Sequence, residues 1–315
     1  MAVRFIDADQ IRSATAWSEL IDAIADILAS DAVSSPDRQV LSIEQPGKGL
    51  ASLLLMPAWS TSEAIGVKAG TYFPTNAAVA LPTIHACYLL FDGNTGELTA
   101  VLDGDELTAR RTAAVSALAA KTLARADSSR LLVVGTGRLA PNMAHAHATV
   151  LPLQEIEIWG RHPNAATAVA QQLAAEGLPA TAATGLDEAI RQADIISCAT
   201  GATKPIVHGE LLAPGTHLDL VGGFRPDMRE TDDSAIARSN LFVDTVPGAI
   251  NSGDLAQPLA NGTITEAAIK ADLRSLVTGD HPGRQSREEL TIFKSAGFAA
   301  ADLATARLAM QSHQQ

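Results

Sequence analysis

The chain has 315 residues, with 23 lysines and arginines against 35 aspartates and glutamates, for a formal net charge of −12. Hydrophobic residues make up 47% and aromatics 4%, enough apolar surface for a sizeable core and too much for global disorder. The acidic balance argues against a general nucleic-acid binder, which needs a basic face for phosphates, and at roughly 150 residues per domain the length points to two domains.

Taken in chain order, Ala16 to Leu28 spaces its apolar residues as an amphipathic helix. Leu50 to Met56 and Ala64 to Lys68 have the character of strands, and His85 to Asp92 is a third, closed by the turn signal Asp92-Gly-Asn-Thr-Gly. A long helix is expected from Glu106 to Ala124, rich in alanine and leucine, the best helix formers. From Ser129 the rhythm becomes strand–helix alternation. Short apolar strands are expected at Arg130 to Gly135, Ile156 to Trp159, Asp194 to Ala199, His217 to Val221 and Leu241 to Asp244, with helices over Ala165 to Ala175 and Leu186 to Gln192. That pattern predicts βαβ units and a parallel sheet. The tail from Glu288 to Met310 has a helical pattern and is expected to pack back on the first domain.

No segment approaches the run of about 18 apolar residues that a membrane helix needs, and Met1 to Asp9 lacks the apolar stretch of a signal peptide. Cys87 and Cys198 lie far apart and form no metal-like pair. His145 and His147, two residues apart on an expected helix, do not share a face, so no metal is expected. The expected compartment is the cytoplasm, with both thiols reduced, and no membrane partner is expected.

The sharpest local motif is Gly135-Thr136-Gly137-Arg138-Leu139-Ala140, of the form G-x-G-x-x-A, directly after a strand and at the start of a helix. That is the context of a dinucleotide-binding turn. Gly135 permits the tight turn, Gly137 lets the pyrophosphate approach, and Ala140 keeps helix and sheet close. Backbone N–H groups and the helix dipole then receive the anion. Pro141 is compatible with a first helical turn. The next strand ends in Gly160-Arg161-His162 with no carboxylate for ribose hydroxyls. Arg161 is suited to a 2′-phosphate instead, which predicts NADPH, with NADH as the alternative. The strand ends at Ala199-Thr200 and Val221-Gly222 are the expected further wall of the crevice.

Three cations are candidates for an anion pocket. Lys68 ends an apolar strand, Arg111 sits beside Thr112 in the alanine-rich helix, and Arg38 follows Pro36-Asp37 before a strand. Singly, each also reads as a surface charge. Together with Gly66-Val-Lys-Ala, Pro74-Thr-Asn, Leu81-Pro-Thr, Leu89-Leu-Phe-Asp-Gly-Asn-Thr-Gly-Glu-Leu, Leu107-Thr-Ala-Arg-Arg-Thr-Ala-Ala-Val-Ser-Ala, Arg225-Pro-Asp-Met-Arg-Glu and Thr291-Ile-Phe-Lys-Ser-Ala-Gly, they give a broader pattern. Over nearly its whole length the chain resembles the ornithine cyclodeaminase/μ-crystallin family.

The resemblance implies an α/β fold. A Rossmann domain over 119–293 is joined to an α+β substrate and dimerisation domain over 1–118 and 294–315, and the chain is expected to form a homodimer. It implies that Arg38, Lys68 and Arg111 bind a substrate carboxylate and support catalysis. Thr83, Arg111, Thr112 and Ser295 are expected near the dinucleotide. Members of the family cyclise ornithine with bound NAD, reduce cyclic imines with NAD(P)H, or interconvert pyruvate and alanine. Cyclodeaminases carry an aspartate directly after the Gly-Gly that ends a Rossmann strand; here Gly222-Gly223 is followed by Phe224, which cannot pair with an ammonium or accept a proton.

The expected activity is therefore NADPH-dependent reduction of a small cyclic ketimine carboxylate, giving L-proline or L-pipecolate. Arg111 and Arg38 would clamp the carboxylate through forked hydrogen bonds, and Lys68 would either complete the clamp or donate the proton. A lysine beside two arginines should have a lowered pKa. Asp227 is either a second proton-handling group or a turn residue. Alanine dehydrogenase, ornithine cyclodeaminase and a non-catalytic NADPH-binding protein stay open as alternatives.

Overall fold

The computed structural model describes residues 3–47, 49–79 and 81–312. The chain divides into two compact units, one running to Arg111 and resuming at Phe298, the other spanning Thr112–Gly297. The chain passes from the first unit to the second inside a continuous helix, so the division falls earlier than the expected 118/119. The return falls at Phe298 rather than at residue 294.

The first unit opens with β1 (Arg4–Ile6), α1 (Ala8–Ala14) and α2 (Trp17–Ala29). Asp7 and Gln10 form a reciprocal capping box that starts α1. On α2, Leu20, Ile21, Ile24, Ile27 and Leu28 are buried, which is the stripe that the sequence spacing predicts. The sheet follows as β2 (Val33–Ser34), β3 (Gln39–Gln45), β4 (Gly49–Ser60), β5 (Ala64–Tyr72), β6 (Ile84–Asp92) and β7 (Leu98–Asp103). Its order is β1-β7-β6-β5-β4-β2, with β3 also paired to β4. β3 to β7 run antiparallel to their neighbours, while β1 lies parallel to β7. α3 (Gly104–Leu123) then leaves the sheet, its start capped by Asp103 Oδ1, which accepts from the Glu106 N–H at 2.7 Å.

The second unit is a Rossmann fold. Its elements are β8 (Arg130–Val134), α4 (Leu139–Val150), β9 (Glu155–Trp159), α5 (Pro163–Ala175), β10 (Ala180–Ala182), α6 (Leu186–Gln192), β11 (Ile195–Cys198), β12 (His217–Leu220), α7 (Asp233–Arg238), β13 (Asn240–Val243), α8 (Val246–Ala249), α9 (Gly253–Ala260), β14 (Ile269–Asp272), α10 (Leu273–Thr278) and β15 (Thr291–Lys294). The sheet order is β10-β9-β8-β11-β12-β15-β13-β14, and every pairing is parallel. Central strands such as β11, β12 and β15 are buried on both faces and show no alternation, as parallel strands covered on both sides require. β9 and β11 flank β8 on opposite sides, so the strand order reverses there, the usual place for a ligand crevice.

The tail differs from its sequence pattern. A helix is expected from Glu288 to Met310, but Thr291–Lys294 is the strand β15, inserted between β12 and β13. The helix proper is α11 (Ala299–Ser312), which packs on α2 and β5 of the first unit. Four fully buried residues carry no periodicity to tell a strand from a helix, and sheet pairing decides the outcome.

Candidate active site

In the first unit the site is built on β5. Alternation along the strand buries Ala64, Gly66, Lys68 and Gly70 on one side, so Lys68 is turned inward between two glycines. Gly66 has a local reason: a Cβ there would collide with the hydroxyl of the buried Tyr88. Tyr88 stands opposite Lys68 in the β5–β6 register.

Lys68 meets a carboxylate that the sequence pattern does not single out. Its Nζ donates to Asp302 Oδ1 at 3.0 Å and lies 2.9 Å from Oδ2. Arg111 Nε donates to the same Oδ1 at 2.9 Å. Lys68 is 7% exposed, Arg111 6% and Asp302 0%. Two buried cations thus share one carboxylate, which leaves an excess of positive charge. Asp302 Oδ2 and the Tyr88 hydroxyl accept or donate no aligned hydrogen bond among the described residues.

Arg38 is half-buried in the loop before β3, and its charge is felt at Lys68. Burial pushes the Lys68 ammonium down to about 8; Arg111 and Arg38 add to the shift and Asp302 opposes it. The lowered pKa expected from neighbouring arginines is present, with desolvation as its largest cause. Arg110 is directed elsewhere. Its guanidinium covers the Trp17 ring at 3.9 Å from the centroid and donates to the Thr15 carbonyl. Successive helix residues point about 100° apart, which separates the two arginines. Thr112 is buried on α3, and Thr83 is half-buried, its carbonyl accepting from the Phe73 N–H at 2.8 Å.

In the second unit the glycine turn joins β8 to α4. Gly135 has φ 138°, and a Cβ on it would lie 2.6 Å from the Ala199 carbonyl oxygen. Only glycine serves there. A Cβ on Gly137, by contrast, would meet no protein atom within 4 Å. The protein's own packing does not demand this glycine, whereas close approach of a pyrophosphate does, so the turn fits a dinucleotide. Thr136 is half-buried, Arg138 is exposed at the N-cap of α4, Leu139 opens the helix, and Ala140 is 1% exposed against the sheet. Gly160 is required by Thr136, whose methyl group a Cβ would strike, and Arg161 and His162 are exposed just past β9.

The loops after β11 and β12 hold Ala199, Thr200, Val221 and Gly222, which are half-buried or buried. Ser295 is 2% exposed at the end of β15, where its Oγ donates to Asp244 Oδ2 at 3.0 Å. The Ala296 and Gly297 N–H groups reach the same oxygen at 2.8 and 2.6 Å. Asp227 is exposed, and its two oxygens accept from Arg225 Nε at 2.9 Å and Nη2 at 2.6 Å. It lies in a turn, and the forked pair engages both of its oxygens.

Comparison with known proteins identifies the family. The sequence model of the ornithine cyclodeaminase/mu-crystallin family matches residues 3–315. The chain is 41% identical to the Arabidopsis thaliana protein SAR DEFICIENT 4, over 98% of this chain and 97% of the other. It is 36% identical to the Delta(1)-pyrroline-2-carboxylate reductase of Paracoccus denitrificans, over 96% of this chain and 94% of that protein. Its fold superposes with a TM-score of 0.93, at 31% identity and covering 99% and 98% of the two chains, on the Thermococcus litoralis Delta(1)-pyrroline-2-carboxylate reductase solved with NADH and L-proline. With the glycine turn, the cation cluster and matches of this extent, the chain belongs to the ornithine cyclodeaminase/mu-crystallin family.

Proposed function

We propose that the chain is an NAD(P)H-dependent oxidoreductase acting on C=N bonds, and that it reduces a small cyclic ketimine carboxylate to the corresponding cyclic amino acid. The observation that carries this reading is the buried pair of cations, Lys68 and Arg111, joined by the single carboxylate of Asp302. Such a cluster attracts an anion and holds a titratable proton. The similarity to pyrroline-2-carboxylate reductases supports Δ1-pyrroline-2-carboxylate as substrate and L-proline as product. The six-membered Δ1-piperideine-2-carboxylate, giving L-pipecolate, is chemically equivalent at the reacting carbon.

Gly135, Thr136, Gly137 and Ala140 would seat the pyrophosphate, and the loops at Ala199-Thr200, Val221-Gly222 and Ser295 would face the rest of the cofactor. When bound, the reduced nicotinamide supplies the hydride. Arg111 and Arg38 bind the substrate carboxylate, and guanidinium forks fix its plane. Lys68 places its ammonium proton at the ring nitrogen, which makes the adjacent carbon a better hydride acceptor. Asp302 keeps Lys68 and Arg111 aligned. Phe224 follows Gly222-Gly223 where a cyclodeaminase has an aspartate, which favours reduction over deamination.

Arg161 supports NADPH over NADH through its match to a 2′-phosphate. Arg161→Asp should move the ratio of the two kcat/KM values toward NADH, and an unchanged ratio removes that argument. We place the protein in the cytoplasm, since both cysteines are free thiols, and among the described residues no helix is long and apolar enough to cross a membrane. The test of the main reading is a reductive assay with five- and six-membered cyclic imino acids and both nicotinamides. Formation of L-proline or L-pipecolate is expected. Nucleotide binding without consumption on either ring would return the chain to the non-catalytic alternative, and turnover of L-alanine or L-ornithine alone would select one of the other two.

A further inference from the structure

Behind the crevice, the second unit holds a charged network that the proposed reaction does not use. Glu230, Asp254 and Lys294 are each 0% exposed. Lys294 Nζ donates to Asp254 Oδ2 at 3.0 Å, and Asp254 Oδ1 accepts from the Glu230 N–H at 2.7 Å. The Glu230 carboxylate spans two separate loops. Its Oε1 accepts from the Thr200 N–H at 2.7 Å and the Thr200 hydroxyl at 2.8 Å, and its Oε2 accepts from the Gly222 N–H at 2.7 Å. Thr200 follows β11 and Gly222 follows β12. The contact reaches the glycine turn as well, because the Ala199 carbonyl packs against Gly135.

We infer that Glu230 is a positioning residue for the dinucleotide crevice: ionised, it latches the loops after β11 and β12 in the spacing the cofactor requires, and protonated, it releases one of them. The inference rests on the dinucleotide reading above. Its chemistry is simple. An ionised carboxylate only accepts, and each oxygen here faces an N–H donor. A proton on Oε2 turns it into a donor facing the Gly222 N–H, and a proton on Oε1 finds only the Thr200 hydroxyl to accept it, so either way the carboxyl loses one of its charge-assisted backbone contacts and its hold on that loop weakens. The two loops pack closely here, since a Cβ on Gly222 would collide with both the Thr200 carbonyl and Glu230 Oε1.

The surroundings place this change near neutrality. Burial and the Asp254 charge push the Glu230 carboxyl up to about 7, while Lys294 and the Thr200 donors pull the other way. Cys198 also faces the network, and burial with Glu230, Asp254 and Asp219 holds its thiol well above the usual range, hence neutral. Glu230 itself is fixed by its backbone, its carbonyl accepting from the Ile206 and Val207 N–H groups at 2.9 and 3.0 Å.

The test has two readouts. In the ligand-free protein, amide hydrogen exchange at Thr200 and Gly222, corrected for the intrinsic pH dependence, should show about tenfold less protection at pH 6 than at pH 8 for at least one of the two. In parallel, affinity for NADH, which lacks a titrating 2′-phosphate, should fall about tenfold over the same change. Glu230→Gln is neutral at every pH, so its NADH affinity should be flat and close to the wild-type value at pH 6. A pH dependence that survives in Glu230→Gln overturns the inference, as does equal protection of both amides at pH 6 and 8. Should the variant not fold, the wild-type exchange data decide alone. Failure of NADH to bind at any pH overturns the dinucleotide reading instead, and the exchange experiment still judges the latch.

Discussion

At the scale of single residues, the site turns on how one carboxylate serves two cations. Lys68 is the group whose titration the reaction should report. As a proton donor it must be charged, and its ammonium is held down to about 8. For reduction of the imine, kcat/KM should therefore fall as pH rises through about 8. Lys68→Met should lose that basic limb together with roughly 10²–10⁴ in rate; a variant within threefold of wild type would remove Lys68 from the chemistry. Asp302 makes a different prediction, because it supports the proton donor without replacing it. Its attraction raises the Lys68 pKa against burial and the arginines, so Asp302→Asn should move the basic limb to lower pH. The same change leaves two buried cations without a counter-charge, a loss of about 3–5 kcal/mol by the usual cost of breaking a buried ion pair. Urea unfolding reads the second effect and the pH profile the first, and a limb that stays in place would detach Asp302 from Lys68.

At the scale of elements, the turn between β8 and α4 separates what the fold needs from what a ligand needs. Gly135→Ala puts a Cβ in the left-handed region and 2.6 Å from the Ala199 carbonyl, so it should destabilise the unit and broaden or lower its melting transition. Gly137→Ala meets no protein atom within 4 Å and should change stability by no more than about 0.5 kcal/mol, while weakening nucleotide binding at least tenfold. Unchanged affinity in Gly137→Ala would mean that no pyrophosphate approaches this turn. The turn was open to sequence reading because its chemistry is local: a strand, two glycines and an alanine in fixed order suffice. Lys68 stood out for a similar reason, as a lysine in an apolar strand. Asp302 did not, because its partner Arg111 lies 191 residues away and α11 is buried nearly all round, leaving no polar face to mark the aspartate as unusual. β15 was hidden in the same way. Its four residues are buried on both sides, and only pairing with β12 and β13 makes them a strand. The network of Glu230, Asp254 and Lys294 combines both difficulties, since three separate segments meet only after the sheet has formed.

At the scale of the whole molecule, the relevant contrast is between a strongly acidic chain and an apolar hairpin. The net charge of −12 disfavours indiscriminate association, yet β3 and β4 expose Val40 at 55%, Leu41 at 49%, Ile43 at 38% and Leu50 at 60%. The register places Val40 and Leu50 on one face of the hairpin and Leu41 and Ile43 on the other. Apolar side chains on both faces of one hairpin are more than scattered surface residues. Burial against a second copy of the chain is the reading we propose for them, and it makes the protein a homodimer. Light scattering at micromolar concentration should then report twice the 32.7 kDa chain mass, and salt should not dissociate the particle, because the contact is apolar. Leu41→Glu combined with Leu50→Glu should yield single chains without touching Lys68, Arg111 or the glycine turn, and those chains should still bind NADH. A wild-type protein that scatters as one chain, or a double variant that remains paired, would locate the hairpin's purpose elsewhere.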